Sequence, residues 1–219
     1  MKIGIYGGSF NPVHRVHVSS VVMLLQQKFL DIVYMVPTYR NPLNPEKVLI
    51  SGYHRLAMVA LATQDYEDIR VSDYDLKNAN TYSYQTITYF RQHWPDDDLY
   101  FMLGMDAFNR IPEWKGWLYL VRNTTLVVFA RWPITASKGV IKTIEDAGGS
   151  IIVARPPDCI EHDVPDEVSS SIIRKGLKTG YTPDGLGLRK YFSHPSVQHY
   201  INANNLYEDG NDDKMVFVV

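Results

Sequence analysis

Cysteine is almost missing from this chain. Cys159 stands alone among 219 residues, so no intrachain disulfide can form, which fits a reducing compartment. Pro156-Pro157-Asp158 before it reads as a surface loop rather than the setting of a nucleophile. Excess charge of one sign is missing too: 22 basic residues stand against 24 acidic ones, a net charge of −2. That excludes a general electrostatic case for nucleic-acid binding, and any anion-binding charge must be local. No apolar run approaches the ~18 residues of a membrane span, so no membrane association is expected. No charged-then-apolar leader opens the chain, because Met1-Lys2 runs straight into a strand-like stretch. The expectation is a cytoplasmic globular protein. With 45% apolar and 21% charged residues, the chain can bury a full core in one domain.

Strand and helix patterns alternate along it. Apolar runs predict strands at Ile3–Tyr6, Ile32–Val36, Ile69–Ser72, Leu99–Leu103, Thr125–Phe129 and Ser150–Val153. Helical spacing predicts helices at His17–Phe29, Gly52–Ala62, Tyr84–His93, Ser169–Leu177 and Val197–Ala203. Strands separated by helices imply an α/β fold, a doubly wound, Rossmann-like parallel sheet. Residues 1–207 read as one domain, with a C-terminal helical portion from about residue 168 and a polar tail over 208–219. Ligands in such sheets bind at the carboxyl ends of strands. Three loops stand at such ends: Gly7-Gly8, Pro37-Thr38 and Gly104-Met105-Asp106. Asp96-Asp97-Asp98 reads as a solvated turn rather than a metal site.

Two stretches carry the chemistry. The first is Gly7-Gly8-Ser9-Phe10-Asn11-Pro12-Val13-His14, with His17 three residues on. Glycines permit a tight turn and close approach of backbone to a ligand, and His14 and His17 share one face at the positive end of a helix. The combination suits an anionic ligand such as a triphosphate. The second is Val168-Ser169-Ser170-Ser171-Ile172-Ile173-Arg174: hydroxyls and free amides at a helix start, with a planar, permanently charged guanidinium one turn along.

The first stretch resembles the G-x-[ST]-F-[DN]-P-x-H-x-G-H signature of the nucleotidyltransferase superfamily, and its wording most resembles the bacterial nicotinate-nucleotide adenylyltransferases. The second resembles the C-terminal I-S-[ST]-T-x-I-R motif of the same family. One position departs: Val16 stands where the family has glycine. Further matches are Asn80-Thr81-Tyr82-Ser83-Tyr84-Gln85-Thr86, His54-Arg55 with Met58, Gly104-Met105-Asp106-Ala107-Phe108, Trp114, Ala130-Arg131-Trp132-Pro133 and Tyr200-Ile201 with Leu206-Tyr207, so the resemblance spans residues 1–207.

The resemblance implies a nucleotidyltransferase fold and transfer of AMP from ATP to nicotinate mononucleotide, giving nicotinate adenine dinucleotide and pyrophosphate. It implies His14, His17, Ser171 and Arg174 as catalytic residues. ATP would contact Gly7, Gly8, Ser9, Phe10, Gly104, Asp106 (through ribose), Ser169 and Ser170. The pyridine nucleotide would contact Thr81 and Tyr82 through backbone amides, Trp114 through stacking, and Arg131 and Lys47. Arg55 reads as structural. Magnesium would accompany ATP, with no protein carboxylate cage evident in the sequence.

ATP and nicotinate mononucleotide are the expected partners, and the sequence is compatible with a homo-oligomer. An amide donor serves carboxylate and carboxamide alike, so nicotinamide mononucleotide is the alternative acceptor. From another class, Val16 and the Asn41–Lys47 loop, which has no histidine, keep open a non-catalytic nucleotide-binding homologue. Thr81-Tyr82 and Trp114 disfavour sibling transferases acting on phosphopantetheine or a polyol phosphate. A metal hydrolase built on His14 and His17 has no evident third ligand.

Overall fold

The computed structural model describes residues 1–44, 46, 48–79, 82–131, 133–155, 168–180 and 187–208. Among these, six strands form one sheet: β1 (Lys2–Gly8), β2 (Ile32–Pro37), β3 (Ile69–Val71), β4 (Asp98–Gly104), β5 (Thr125–Phe129) and β6 (Ser150–Ala154). The order is β3-β2-β1-β4-β5-β6, and every pairing is parallel. The chain therefore builds outward from β1 to one edge, returns to the middle at β4, and builds outward again. The reversal places the carboxyl ends of β1 and β4 side by side, where such sheets leave a crevice. Gly8 pairs with Pro37, so the end of β2 opens on the same crevice.

Strand alternation sorts the core into two layers, as a period of two residues demands. Ile3, Ile5, Phe101, Leu103 and Leu126 face the layer built with α4 (Ser83–His93), α6 (Trp117–Asn123) and α7 (Lys138–Asp146). Tyr6, Met102, Val127 and Phe129 face the other, built with α1 (Arg15–Gln26), α2 (Gly52–Thr63) and α9 (Pro195–Ala203). Each fully buried aliphatic side chain contributes roughly 1.5–3 kcal/mol. Among the described residues, the C-terminal helical portion contains α8 (Ser170–Thr179), a 3-10 turn (Leu188–Tyr191) and α9. It lies on the α1–α2 side, where His54 of α2 meets the Tyr200 hydroxyl of α9 at 2.8 Å.

The observed ends differ from the sequence expectation for local reasons. α1 begins at Arg15 because His14, with φ −141° and ψ 170°, is already its N-cap. It stops at Gln26, short of Phe29, because Lys28 adopts φ 54°. Four helices were not expected: α3 (Tyr74–Lys77), α5 (Met105–Phe108), α6 and α7. α3 and α5 have four residues each, too few to show a period. α7 did carry a signal, the Ser137 cap followed by Val140, Ile141 and Ile144.

Candidate active site

The site forms where β1 leaves the sheet. The expected glycine turn is corrected by the backbone. Gly7 and Gly8 both lie in β1, and the left-handed residue is Phe10, with φ 44°. Gly8 is required for space: a Cβ there would stand 2.9 Å from the Phe10 ring. The ring instead covers the strand end, edge-on to Tyr6 at 5.4 Å and to His17 at 5.1 Å.

Two buried polar residues hold this loop from beneath. Arg55 is 1% exposed, and its guanidinium donates to the carbonyls of Ser9 (2.7 Å), Ile50 (3.2 Å) and Tyr39 (3.5 Å). Burial lowers its pKa to about 10, so it stays a cation at neutral pH. The carboxamide oxygen of Asn11 accepts from the Ile50 N–H (3.4 Å) and the Tyr207 hydroxyl (3.1 Å). Its Nδ2 donates to the Val48 carbonyl at 3.4 Å. Asn11, inside the glycine motif, thus braces the loop, a role that its residue type and spacing alone do not signal.

The second motif docks directly on the first. The Ser169 side chain caps α8 by accepting from the Ile172 N–H at 3.3 Å. Ser170 Oγ donates to the Pro12 carbonyl (2.8 Å) and Arg174 Nη1 to the Asn11 carbonyl (2.6 Å). Arg174 Nη2 donates to Ser171 Oγ at 3.3 Å. One arm of the Arg174 fork thus ties down the loop while the other orients a serine hydroxyl at the helix start.

His14 and His17 face this junction with rings stacked at 3.6 Å. His17 Nδ1 accepts the backbone N–H of His14 at 3.2 Å, so the neutral ring carries its proton on Nε2. Burial, then the neighbouring His17, Arg131 and Arg15, hold His14 well below the ordinary imidazole value. Burial and Arg131 push His17 down to about 3. His14 Nδ1 and Arg15 Nε are buried without a hydrogen-bond partner among the described residues. Two neutral imidazoles, the neighbouring Arg15 and Arg131 and the unpartnered Arg15 Nε–H make a site suited to an anion. The negative charge of an anion bound beside an imidazole raises its pKa.

Arg131 follows β5 in an isolated bridge with Ile134. Its charge acts on His14, His17 and Tyr6, so among the described side chains grouped with the pyridine nucleotide it is the one on the histidine side. Asp106 opens α5 at the end of β4, exposed, and its charge reaches the Tyr6 hydroxyl. Val16 is half-buried in the first turn of α1, and its carbonyl accepts the Ser20 hydroxyl at 2.6 Å.

A second cluster lies where α4 meets the turn after β4. Tyr82 is the N-cap of α4, and its N–H donates to Gln85 Oε1 at 2.8 Å. That amide is engaged, and is not the open donor the sequence reading assumed. Trp114 is half-buried and edge-on to Phe101 of β4 at 6.2 Å. Lys47, Thr81, Trp132, Cys159 and the tail from residue 209 lie outside the described residues.

The profile of the cytidylyltransferase-like family matches residues 5–176, from β1 through Arg174. A probable nicotinate-nucleotide adenylyltransferase of Neisseria meningitidis (strain MC58) is 32% identical over 215 residues, covering 94% of this chain and 98% of that protein. A protein of the same description from Shouchella clausii is 33% identical over 215 residues, covering 96% and 99%. Among solved structures, Plasmodium falciparum nicotinic acid mononucleotide adenylyltransferase complexed with NaAD superposes with a TM-score of 0.74 over 94% of this chain and 97% of that one. At 22% identity this is a likeness of fold. With both motifs inside the matched region and relatives aligned nearly end to end, this chain belongs to the cytidylyltransferase-like family, among the nicotinate-nucleotide adenylyltransferases.

Proposed function

We propose that residues 1–207 act as one domain that transfers AMP from ATP to nicotinate mononucleotide, releasing nicotinate adenine dinucleotide and pyrophosphate. The observation that carries this reading is the junction itself: Ser170 and Arg174 close onto the Pro12 and Asn11 carbonyls beside stacked, neutral His14 and His17. In the reaction, a phosphate oxygen of the mononucleotide attacks the α-phosphorus of ATP. A new P–O bond forms, the bond to the β-phosphate oxygen breaks, and pyrophosphate leaves with the electron pair. The nucleophile is already an anion, so no general base is needed. The protein positions the groups and stabilises developing charge on the leaving group.

His17 donates from Nε2, His14 takes up a proton as phosphate arrives, and Ser171 and Arg174 hold the far phosphates. Gly7, Gly8, Ser9 and Phe10 shape the floor under ATP with Ser169 and Ser170, while Gly104 and Asp106 receive the ribose. Tyr82, Trp114 and the 81 and 47 positions receive the pyridine nucleotide, and Arg131 neutralises the phosphates between the two halves. Among the described residues no group of three or more His, Cys, Asp or Glu side chains could hold a metal ion. Magnesium enters this scheme as part of the MgATP substrate, held by phosphate oxygens and water.

The described residues contain no helix long and apolar enough to cross a membrane, and the reading places the enzyme in the cytoplasm. Incubating the protein with MgATP and nicotinate mononucleotide should yield dinucleotide and pyrophosphate in a one-to-one ratio. Tight ATP binding with no dinucleotide formed would overturn the reading in favour of a non-catalytic nucleotide-binding protein.

A further inference from the structure

The phosphate side holds several cations; on the α4 side, among the described residues, Lys115 has no carboxylate partner. Lys115 directly follows Trp114, and its Nζ lies 4.9 Å over the centroid of the Tyr82 ring. The turn is what brings it there. Gly116 has φ +74°, and a Cβ at that position would fall 2.4 Å from the Tyr84 ring. Only glycine lets residues 114–116 lie against the first turn of α4. Among the described residues no carboxylate pairs with Lys115, and the first turn of α4 contains no acidic residue. An ammonium group, the N-terminal end of an 11-residue helix whose entrance amide is capped by Gln85, and a half-buried indole therefore share one corner.

We infer that Lys115 is a specificity-determining residue that selects a pyridine carboxylate over a carboxamide. The inference rests on the function proposed above. A backbone N–H donates equally well to a carboxylate oxygen and to a carboxamide oxygen, so it separates the two acceptors weakly. In this chain the amide at the helix entrance is also closed, because Gln85 Oε1 occupies the Tyr82 N–H. A full charge separates the two acceptors more strongly, and among the described residues Lys115 is the full charge at this corner. A pyridine ring stacked on Trp114 presents its carboxyl substituent at the ring edge. There the long lysine stem can swing the ammonium to meet it. The face of Tyr82 keeps that ammonium close without neutralising it, an attraction that an anionic ligand outcompetes.

The test is kcat/KM for nicotinate mononucleotide and for nicotinamide mononucleotide, measured side by side at saturating MgATP on the full chain, for wild type, Lys115→Gln and Lys115→Arg. Wild type should favour the acid. Lys115→Gln should lose about tenfold on the acid, mostly through KM, and change little on the amide, so the acid-to-amide ratio collapses. Lys115→Arg should keep most of the ratio. Raising the salt concentration should erode the wild-type ratio more than the Gln variant's. Thermal unfolding midpoints should agree among the three proteins, because Lys115 is exposed. A ratio in Lys115→Gln equal to that of active wild type overturns the inference and leaves the proposed function standing. Wild type that forms dinucleotide from neither acceptor overturns the proposed function instead.

Discussion

In the reaction proposed above, the phosphate end and the pyridine end of the site are built to different standards. At the phosphate end, the loop from Ser9 to His14 is gripped from three separate parts of the chain. Arg55 and Ile50 hold it from α2 and the segment before it, Ser170 and Arg174 from α8, and Tyr207 from the segment after α9. At the pyridine end, Lys115 lies over the Tyr82 ring in a cation–π contact and Trp114 meets only the edge of Phe101, with Lys115 exposed and the Tyr82 and Trp114 rings half-exposed. The phosphate end is preorganised, as a site that stabilises charge in a transition state must be. The pyridine end is free to adjust, as suits a site that tells two similar rings apart by one substituent. The contrast implies that damage at the first end appears in kcat or in folding, and damage at the second in KM and acceptor choice.

The sharpest way to break the contrast is His17→Ala. It should lower kcat by about 10²–10³-fold, since a donor aimed at the phosphates is lost, with little change in KM for the pyridine nucleotide. Steady-state kinetics on both substrates would check it. A KM effect confined to the pyridine nucleotide would erase the division. Next is Arg55→Met, which leaves the Ser9, Ile50 and Tyr39 carbonyls without their buried donor. It should cost about 3 kcal/mol of stability in urea unfolding, and it should weaken ATP binding more than pyridine-nucleotide binding.

The smallest effect concerns the support behind α4. Asp75 is 4% exposed and accepts the Thr86 hydroxyl of α4 at 2.8 Å. Burial raises its pKa from 3.8 to about 7, while the Thr86 bond opposes the rise. Between those values the folded protein holds a proton that the unfolded chain has released. Stability from this group is therefore present at low pH and declines as pH rises through about 7. Asp75→Asn keeps the acceptor and removes the titration. Its unfolding midpoint should match wild type near pH 4.5 and exceed it at pH 8 by on the order of 3 °C. Parallel curves at all pH values would show that Asp75 does not titrate in this range.

Much of this was legible before any coordinates. The six strands stand out because parallel strands buried on both faces are short apolar runs, and α1, α2, α4, α8 and α9 because their apolar residues recur at helical spacing. Ser169 at a helix start and the paired histidines were likewise readable from residue type and spacing. α3 and α5 were not, since four residues show no period. The engaged amide of Tyr82 had a faint signal in Gln85 three residues on, the position from which a side chain reaches back to a helix start. Lys115 had none, because its place depends on a left-handed turn at Gly116 and on the Tyr84 ring that turn must clear.

Local chemistry was in the chain from the outset: which residues can donate to phosphate, where helices are capped, which strands are buried, and that one cysteine makes no disulfide. Those properties depend on side-chain type and on neighbours within a turn or two. Which of these groups meet was settled by packing. Sheet order brings β1 beside β4, and the docking of α8 puts Ser170 on the Pro12 carbonyl across 158 positions of sequence. The same packing buried His14 and the guanidinium of Arg55, and burial, not residue type, made the one neutral and the other a staple. Contacts at that separation reflect the sum of many buried surfaces, and no local pattern carries that sum.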